Sequence, residues 1–179
     1  LTDPASNVTT WVYDTEGRVT DKKDDTNTII EQFEWDADGW LDERWTIAKG
    51  TTYYTYDDEG RVTNVNYPAG TTDVSYVYDD AGRMTSMTDA IGTTSFSYNT
   101  SGQLSYEDGP WTSDRVSYGY TYGRRTSLDV DRPSTTDWSQ TYAYDSSLRL
   151  DSLTSPAGTF DYVYSGSERR VDEIDLPGS

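Results

Sequence analysis

Cysteine and histidine are both missing from this 179-residue sequence. Without cysteine there is no disulfide framework and no thiolate metal site; without histidine the commonest metal ligand and the usual general base near neutral pH are gone. Basic residues are scarce, with 14 Lys and Arg against 32 Asp and Glu and a formal charge of −18. A nucleic-acid binder needs a stripe of Lys and Arg that displaces the cations condensed on phosphate, so this balance excludes nucleic acid as a partner. No apolar run approaches the roughly 18 residues of a membrane span, and no signal-peptide pattern is present. The sequence opens on Leu1 rather than Met and is expected to be a piece of a longer polypeptide.

Aromatic residues are what the chain has in excess. Hydrophobic residues make up only 33%, yet there are 16 Tyr, 6 Trp and 3 Phe. Disordered chains of this charge lack aromatic and β-branched residues, so a folded chain with an aromatic interior is expected.

The aromatics are periodic. Pairs at spacing i, i+2 occur at Trp11/Tyr13, Phe33/Trp35, Tyr54/Tyr56, Tyr76/Tyr78, Phe96/Tyr98, Tyr118/Tyr120, Tyr142/Tyr144 and Tyr162/Tyr164, with first members 20 to 24 residues apart. A turn phrase follows each pair, clearest in Tyr56-Asp57-Asp58-Glu59-Gly60-Arg61-Val62. Asp follows the second aromatic at Asp14, Asp36, Asp57, Asp79 and Asp145, with Asn99 once. Gly closes the phrase at Gly17, Gly39, Gly60, Gly82, Gly102 and Gly123, and Arg follows at Arg18, Arg61, Arg83, Arg124, Arg149 and Arg169. Asp or Asn at the first position of a β-turn accepts hydrogen bonds from the backbone two residues on, and Gly supplies the positive φ needed to leave it, as in a type I turn with a glycine bulge. Residues i and i+2 of a strand share one face of a sheet. Each phrase is therefore strand, turn, strand, with Asp14, Gly17, Arg18, Asp36, Gly39, Asp57, Gly60, Arg61, Asp79, Gly82 and Arg83 as its structural turn residues.

A second glycine column, Gly50, Gly70, Gly92 and Gly158, marks the return turns and leaves room for about sixteen strands of roughly five to seven residues. Some copies depart from the rule. The sixth is a residue short at Tyr122-Gly123, the seventh has Leu148 and the eighth Glu168 where Gly belongs, and those turns are expected to take another form because a bulky side chain at positive φ is costly. The second copy has Trp40 in place of Arg and is preceded by Asp21-Lys22-Lys23-Asp24-Asp25, read as an extended loop.

Candidate chemistry is thin. The segment Glu34-Trp35-Asp36-Ala37-Asp38-Gly39 echoes a calcium loop, but the position that needs a bidentate Glu is Trp45. Adjacent carboxylates such as Glu107/Asp108 point to opposite faces of a strand and are poorly placed for glycoside hydrolysis. No catalytic residue, metal site or cofactor site is assigned. An Arg of the repeat is expected to pair with the turn Asp or to lie over a cross-strand Tyr. Aromatics at a fixed repeat position are most simply structural, which leaves Trp40, Trp45, Tyr106, Trp111 and Trp138, outside the ladder, as the candidate ligand surface.

The phrase Tyr-x-Tyr-Asp-x-x-Gly-Arg-Val/Met at a period near 21 resembles the YD repeat of the Rhs family, which also includes teneurins and the shell-forming subunits of insecticidal Tc toxin complexes. The resemblance covers almost the whole chain. It implies one β-hairpin per repeat, hairpins that spiral into a hollow shell, and, in many bacterial members, a toxic C-terminal segment enclosed by that shell. Bacterial members commonly end the shell with an Asp-Pro-containing self-cleavage motif; Asp175-Leu176-Pro177-Gly178 does not match it, so no catalytic aspartate is carried over.

The expected fold is all-β, an antiparallel meander of about eight β-hairpin YD repeats in a curved or spiralling sheet, one array over residues 1–179 forming a segment of a β-shell. Its stability should come from neighbour interfaces, because no hairpin can bury its aromatic face alone. The expected function is a non-enzymatic scaffold in a secreted or cell-surface polypeptide, with neighbouring repeats of the parent chain and an enclosed toxin cargo as partners. The alternative is an extracellular adhesion module that binds a glycan or a protein.

Overall fold

The structure is a computed structural model that describes residues 1–4 and 8–178. Among them there are sixteen strands and no helix. The chain divides into two units, Leu1–Ile91 and Gly92–Ser179. The first holds β1 (Thr10–Tyr13), β2 (Val19–Lys23), β3 (Ile29–Trp35), β4 (Leu41–Thr46), β5 (Gly50–Tyr56), β6 (Val62–Asn66), β7 (Val74–Tyr78) and β8 (Met84–Thr88). The second holds β9 (Thr93–Tyr98), β10 (Leu104–Asp108), β11 (Val116–Thr121), β12 (Arg124–Val130), β13 (Trp138–Tyr144), β14 (Leu150–Ser155), β15 (Gly158–Tyr164) and β16 (Val171–Asp175). Within each unit every strand pairs antiparallel with its neighbours in sequence, a meander without crossovers.

The period-2 pattern becomes a two-faced sheet. On β3, Glu31, Phe33 and Trp35 are half-buried while Gln32 and Glu34 are exposed; on β15, Phe160, Tyr162 and Tyr164 are half-buried while Asp161 and Val163 are exposed. One face therefore carries the aromatic ladder and the other is polar, as expected of an antiparallel sheet covered on one side at most. The interior is only one layer deep. Among the described residues Val65 alone is buried, at 8% exposure. Cohesion lies in the contact of each hairpin with the next, the arrangement of a quasi-one-dimensional repeat protein.

Two local expectations change. Residues 21–23 are not an extended loop but the end of β2, with Lys22 opposite Glu31 and 3.8 Å from its carboxylate. The chain then turns through Asp24-Asp25-Thr26-Asn27-Thr28, where Asn27 takes the left-handed conformation (φ 65°) that Gly takes elsewhere. Asn tolerates this region better than most residues because its short amide can hydrogen-bond locally. Nor does Leu148 force a different turn. It adopts φ 61° and keeps the hydrogen bonds of the glycine copies, Leu148 N–H to Asp145 O at 2.9 Å and Asp145 N–H to Arg149 O at 2.9 Å. The sixth copy does change form: Tyr122 and Gly123 both have positive φ, 50° and 77°, the pattern of a two-residue type I′ hairpin.

Candidate functional site

The recurring constellation lies at the hairpin tips. In the first tip, Gly17 donates to Asp14 O at 3.2 Å and Asp14 N–H donates to Arg18 O at 2.9 Å, closing a three-residue loop with Gly17 at φ 82°. The carboxylate fills the loop: Asp14 Oδ1 accepts from the N–H groups of Glu16 (3.0 Å) and Arg18 (2.8 Å), and Oδ2 accepts from Arg18 Nε at 2.7 Å. The same set recurs at Asp57/Arg61, Asp79/Arg83 and Asp145/Arg149, with Arg Nε to Asp Oδ2 at 2.6, 2.8 and 2.6 Å. Asp36 makes the two backbone bonds, to Asp38 and Trp40, without an Arg to follow. Asn99 makes them to Ser101 and Gln103.

These contacts set the acidity of the turn carboxylates. Partial burial alone raises the pKa of Asp14 and Asp57, but the hydrogen bonds and charge of Arg18 and Arg61 outweigh it and hold both below the ordinary value of 3.8. Asp79 is lowered first by the Arg83 side chain and then by its backbone N–H, and Asp145 first by the Arg149 backbone N–H and then by its side chain.

The same arginine reaches forward to the next hairpin. Arg18 lies 5.7 Å from the ring centre of Trp35, Arg61 4.8 Å from Tyr78, and Arg149 4.4 Å from Tyr164. Each of those aromatics donates back to the first strand carbonyl after the tip: Trp35 Nε1 to Val19 O at 2.8 Å, Tyr78 Oη to Val62 O at 2.9 Å, Tyr164 Oη to Leu150 O at 2.8 Å. Trp40, where Arg is absent, does the same work by ring contact. It meets Tyr56 at 5.2 Å between centroids while Tyr56 Oη donates to Leu41 O at 2.8 Å. Gln103 reaches the following tip through Nε2 to Gly123 O at 3.0 Å. Carboxylate, Arg or its substitute, and the next aromatic thus form a staple at the tips of Asp14, Asp36, Asp57 and Asp145.

At the opposite ends of the strands a smaller contact recurs. A Cβ added at Gly50, Gly92 or Gly158 would meet the Cβ of Pro68 (3.6 Å), Pro110 (2.6 Å) or Pro177 (2.3 Å) respectively. Sequence reasoning missed this Gly–Pro pairing, although the spacing of 18 or 19 residues was its signal. It also missed that Glu107, Tyr118 and Arg125, on β10, β11 and β12, come together. Tyr118 Oη donates to Glu107 Oε1 at 2.6 Å beneath Arg125, 4.5 Å away, and burial followed by the Glu107 hydrogen bond pushes the phenol up to about 12.

The five off-ladder aromatics are dispersed. Trp40 is at a tip, whereas Trp45 stands on the polar face of β4, opposite Gln32 and Thr51. Gln32, Glu34, Glu43, Trp45 and Thr51 line a hollow of about 200 Å³ there. Glu43 faces Glu34 across the strands, and its pKa is raised by burial, then by the charges of Glu34 and Asp42. In the second unit Tyr106 lies under Arg115 at 4.2 Å, Trp111 is 62% exposed in the loop after β10, and Trp138 opposes Val130 at the start of β13. Among the described residues no group of three or more Asp or Glu is arranged to hold a metal ion, and no helix is long and apolar enough to cross a membrane.

Fold and tips together define a class, the antiparallel β-hairpin repeat protein whose tips bond to the hairpin that follows within each unit. Residues 78–109 match the family model described as RHS Repeat. The chain is similar in fold to a chain in the structure of the Photorhabdus luminescens Tc holotoxin pore, with a TM-score of 0.69 and 16% identity over 91% of this chain and 10% of that one. The TcdB2–TccC3 crystal structure matches at a TM-score of 0.52 and 16% identity over 89% of this chain and 12% of that one. A TcdB2–TccC3 structure without the hypervariable C-terminal region matches at 0.53 and 16%, over 91% and 12%. This chain therefore spans about a tenth of the length of the chains it resembles. Comparison with curated proteins finds no significant sequence match.

Proposed function

We propose that residues 1–179 act as one YD-repeat array, a wall segment of a shell that encloses a toxin-like C-terminal cargo and helps deliver it from a secreted or cell-surface polypeptide. The structural scaffold itself is what the repeat and the fold define; enclosure is the step beyond. The observation that supports it is the staple. Asp, Arg and aromatic side chains that could serve a ligand are committed at the Asp14/Arg18, Asp57/Arg61 and Asp145/Arg149 tips to holding the next hairpin. A wall needs that property over many repeats, and the chains of similar fold are components of a Tc toxin. One of those structures is named as lacking a hypervariable C-terminal region, the kind of segment that a shell would hold.

The test is the intact mass and C-terminal sequence of the native polypeptide, with limited proteolysis of its last segment before and after denaturation. A parent of more than roughly a thousand residues, whose unrelated C-terminal segment resists protease until the array unfolds, is the expected result. A parent barely longer than this chain has too few hairpins to surround anything and overturns the proposal. The second reading, a glycan-binding or protein-binding adhesion module, is favoured by one feature, the hollow in which Trp45 lies among Gln32, Glu34 and Glu43. It requires glycan or protein binding that Trp45→Ala abolishes.

A further inference from the structure

Four tip arginines are neutralised from within their own turn: Arg18, Arg61, Arg83 and Arg149 pair with Asp14, Asp57, Asp79 and Asp145. The sixth tip keeps the arginine and loses the carboxylate. Thr121 follows the second aromatic, Tyr120, where those copies have Asp, and it stands directly opposite Arg124 in the register. Arg124 still lies over the next hairpin, 5.4 Å from the ring centre of Tyr144, whose hydroxyl donates to Arg125 O at 2.8 Å. Among the described residues no carboxylate pairs with Arg124.

The same place displays apolar side chains at a steric cost. Tyr122 holds φ 50° and is 93% exposed; Leu148, on the seventh tip, holds φ 61° and is 47% exposed. A side chain resists the left-handed region, and neither residue gains burial in return. Residues kept in such conformations gather at ligand clamps. Thr121, Tyr122, Arg124, Tyr142, Tyr144 and Leu148 line one hollow of about 350 Å³. Asp145 borders it too, but its carboxylate is taken up by Arg149 Nε at 2.6 Å and by the N–H groups of Ser147 and Arg149. The two hairpins that frame the hollow, β11–β12 and β13–β14, are flanked by paired strands on both sides, β10 and β15, so the hollow does not arise from an unpaired edge.

We propose that this hollow binds a free carboxylate next to an apolar side chain, the chemistry of a peptide C-terminus ending in Leu or Phe. The carboxylate takes the place of the missing turn Asp beside Arg124, and the apolar side chain lies among Tyr122, Tyr142 and Leu148. The repeat itself identifies the anion: where a tip has Asp, its carboxylate accepts from Arg Nε at 2.6 to 2.8 Å, and the Arg124 guanidinium offers the same planar donors to a ligand. A neutral sugar would leave the guanidinium without its counter-charge, and a bare inorganic anion would leave Tyr122 and Leu148 in water. The site rests on neither function proposed above; a wall segment can carry it, and its failure leaves both readings as they stand.

The experiment is an NMR titration of the nitrogen-15-labelled 179-residue chain with N-acetyl-L-phenylalanine and, in parallel, with its uncharged amide. The acid should shift the backbone signals of residues 121–126 and 142–148 with a Kd of order 1 mM, and the amide should bind at least about tenfold more weakly. Arg124→Gln should weaken the acid by at least about tenfold. Because that variant also loses the contact with Tyr144, Thr121→Asp is the second: it restores a carboxylate opposite Arg124, should hold the urea midpoint at or above that of the native chain, and should lose the ligand by the same factor. Tyr122→Asn, which relieves the backbone, should bind at least about threefold more weakly although it is the more stable chain. Equal affinity for acid and amide overturns the proposal. So do shifts that lie outside the two tips, an absence of shifts up to about 20 mM, or a Thr121→Asp chain that binds as well as the native one.

Discussion

Glycine at the tips answers to two constraints, and alanine substitution at two of them separates the constraints. Gly17 and Gly60 have nearly the same backbone, φ 82° and 79°, so a Cβ costs each of them the same left-handed penalty, about 1 kcal/mol. Their surroundings differ. A Cβ at Gly17 would meet nothing within 4 Å, whereas at Gly60 it would lie 2.7 Å from Cζ2 and 2.9 Å from Cε2 of Trp40. Those are atoms of a rigid indole pinned against Tyr56, so the ring or the tip must move, at a further cost of about 1–3 kcal/mol. Gly60→Ala is therefore expected to lower stability by about 2–4 kcal/mol and Gly17→Ala by about 1 kcal/mol. Urea unfolding followed by circular dichroism gives the two values, and hydrogen exchange at the tips shows whether the loss is local, since repeat arrays need not unfold in one step. In a Trp40→Ala background the difference should vanish, because the indole is gone and only the φ penalty remains. Equal costs in the native background, or a difference that survives Trp40→Ala, would refute the claim that the residue in the Arg position presses on the next glycine.

The remaining predictions concern single contacts. Tyr122→Asn should raise stability by about 0.5–1 kcal/mol, since Tyr122 is 93% exposed at φ 50° and Asn before Gly123 suits a type I′ turn; a lower urea midpoint would contradict the strain argument. Tyr78→Phe should cost about 1 kcal/mol by removing the 2.9 Å bond to Val62 O, whereas Tyr13→Phe, at a ring 57% exposed, should cost nothing measurable by the same assay in the 179-residue chain. The pKa values of Asp14, Asp57, Asp79 and Asp145 are lowered in the folded state, so their contribution is fully present above the ordinary carboxylate value of 3.8 and is lost as pH falls through the depressed values. An acid series of urea midpoints should fall below pH 4, and less steeply in Asp57→Asn, which imitates the neutral Asn99 tip; a flat profile would count against the turn carboxylates.

The tips were legible in the sequence because turn chemistry is local. Asp14, Gly17 and Arg18 lie within five residues, and each type has its own physical reason to be there. That the arginine pairs with the turn Asp or lies over a cross-strand Tyr was legible too, as Arg61 over Tyr78 and Arg149 over Tyr164 show; which aromatic it meets was not, since Trp35 stands 17 residues beyond Arg18 and only the pairing of β2 with β3 brings them together. Trp40 looked like a ladder outlier for the same reason: its partner Tyr56 belongs to the following hairpin. Leu148 was expected to break the turn rule because φ preference is a property of one residue. The carboxylate of Asp145, bonded to Ser147, Arg149 and the Arg149 guanidinium, belongs to the whole loop and holds Leu148 in place. The polar hollow beside Trp45 was legible only as a Trp outside the repeat, because its carboxylates, Glu34 and Glu43, come from two strands.

A repeat protein with almost no buried interior must place its specificity in the junctions, and here the junction is kept while its residues vary. The Arg position holds Arg at most copies but Trp40 and Gln103 at two, and the next hairpin is reached by three means: a stacked guanidinium at Arg18, Arg61 and Arg149, an indole edge at Trp40, an amide hydrogen bond at Gln103. What each requires of the hairpin ahead also differs. Trp40 needs a bare glycine at Gly60 and a ring at Tyr56, while Gln103 needs only the carbonyl of Gly123. Neighbouring hairpins are therefore matched pairs rather than interchangeable units. Moving the Trp40 hairpin so that it precedes the tip at Tyr122-Gly123 should weaken the junction even though both are good hairpins, because that two-residue turn lacks the three-residue loop whose glycine, Gly60, the indole packs on. The order of the hairpins is in this way written into the side chains at their tips.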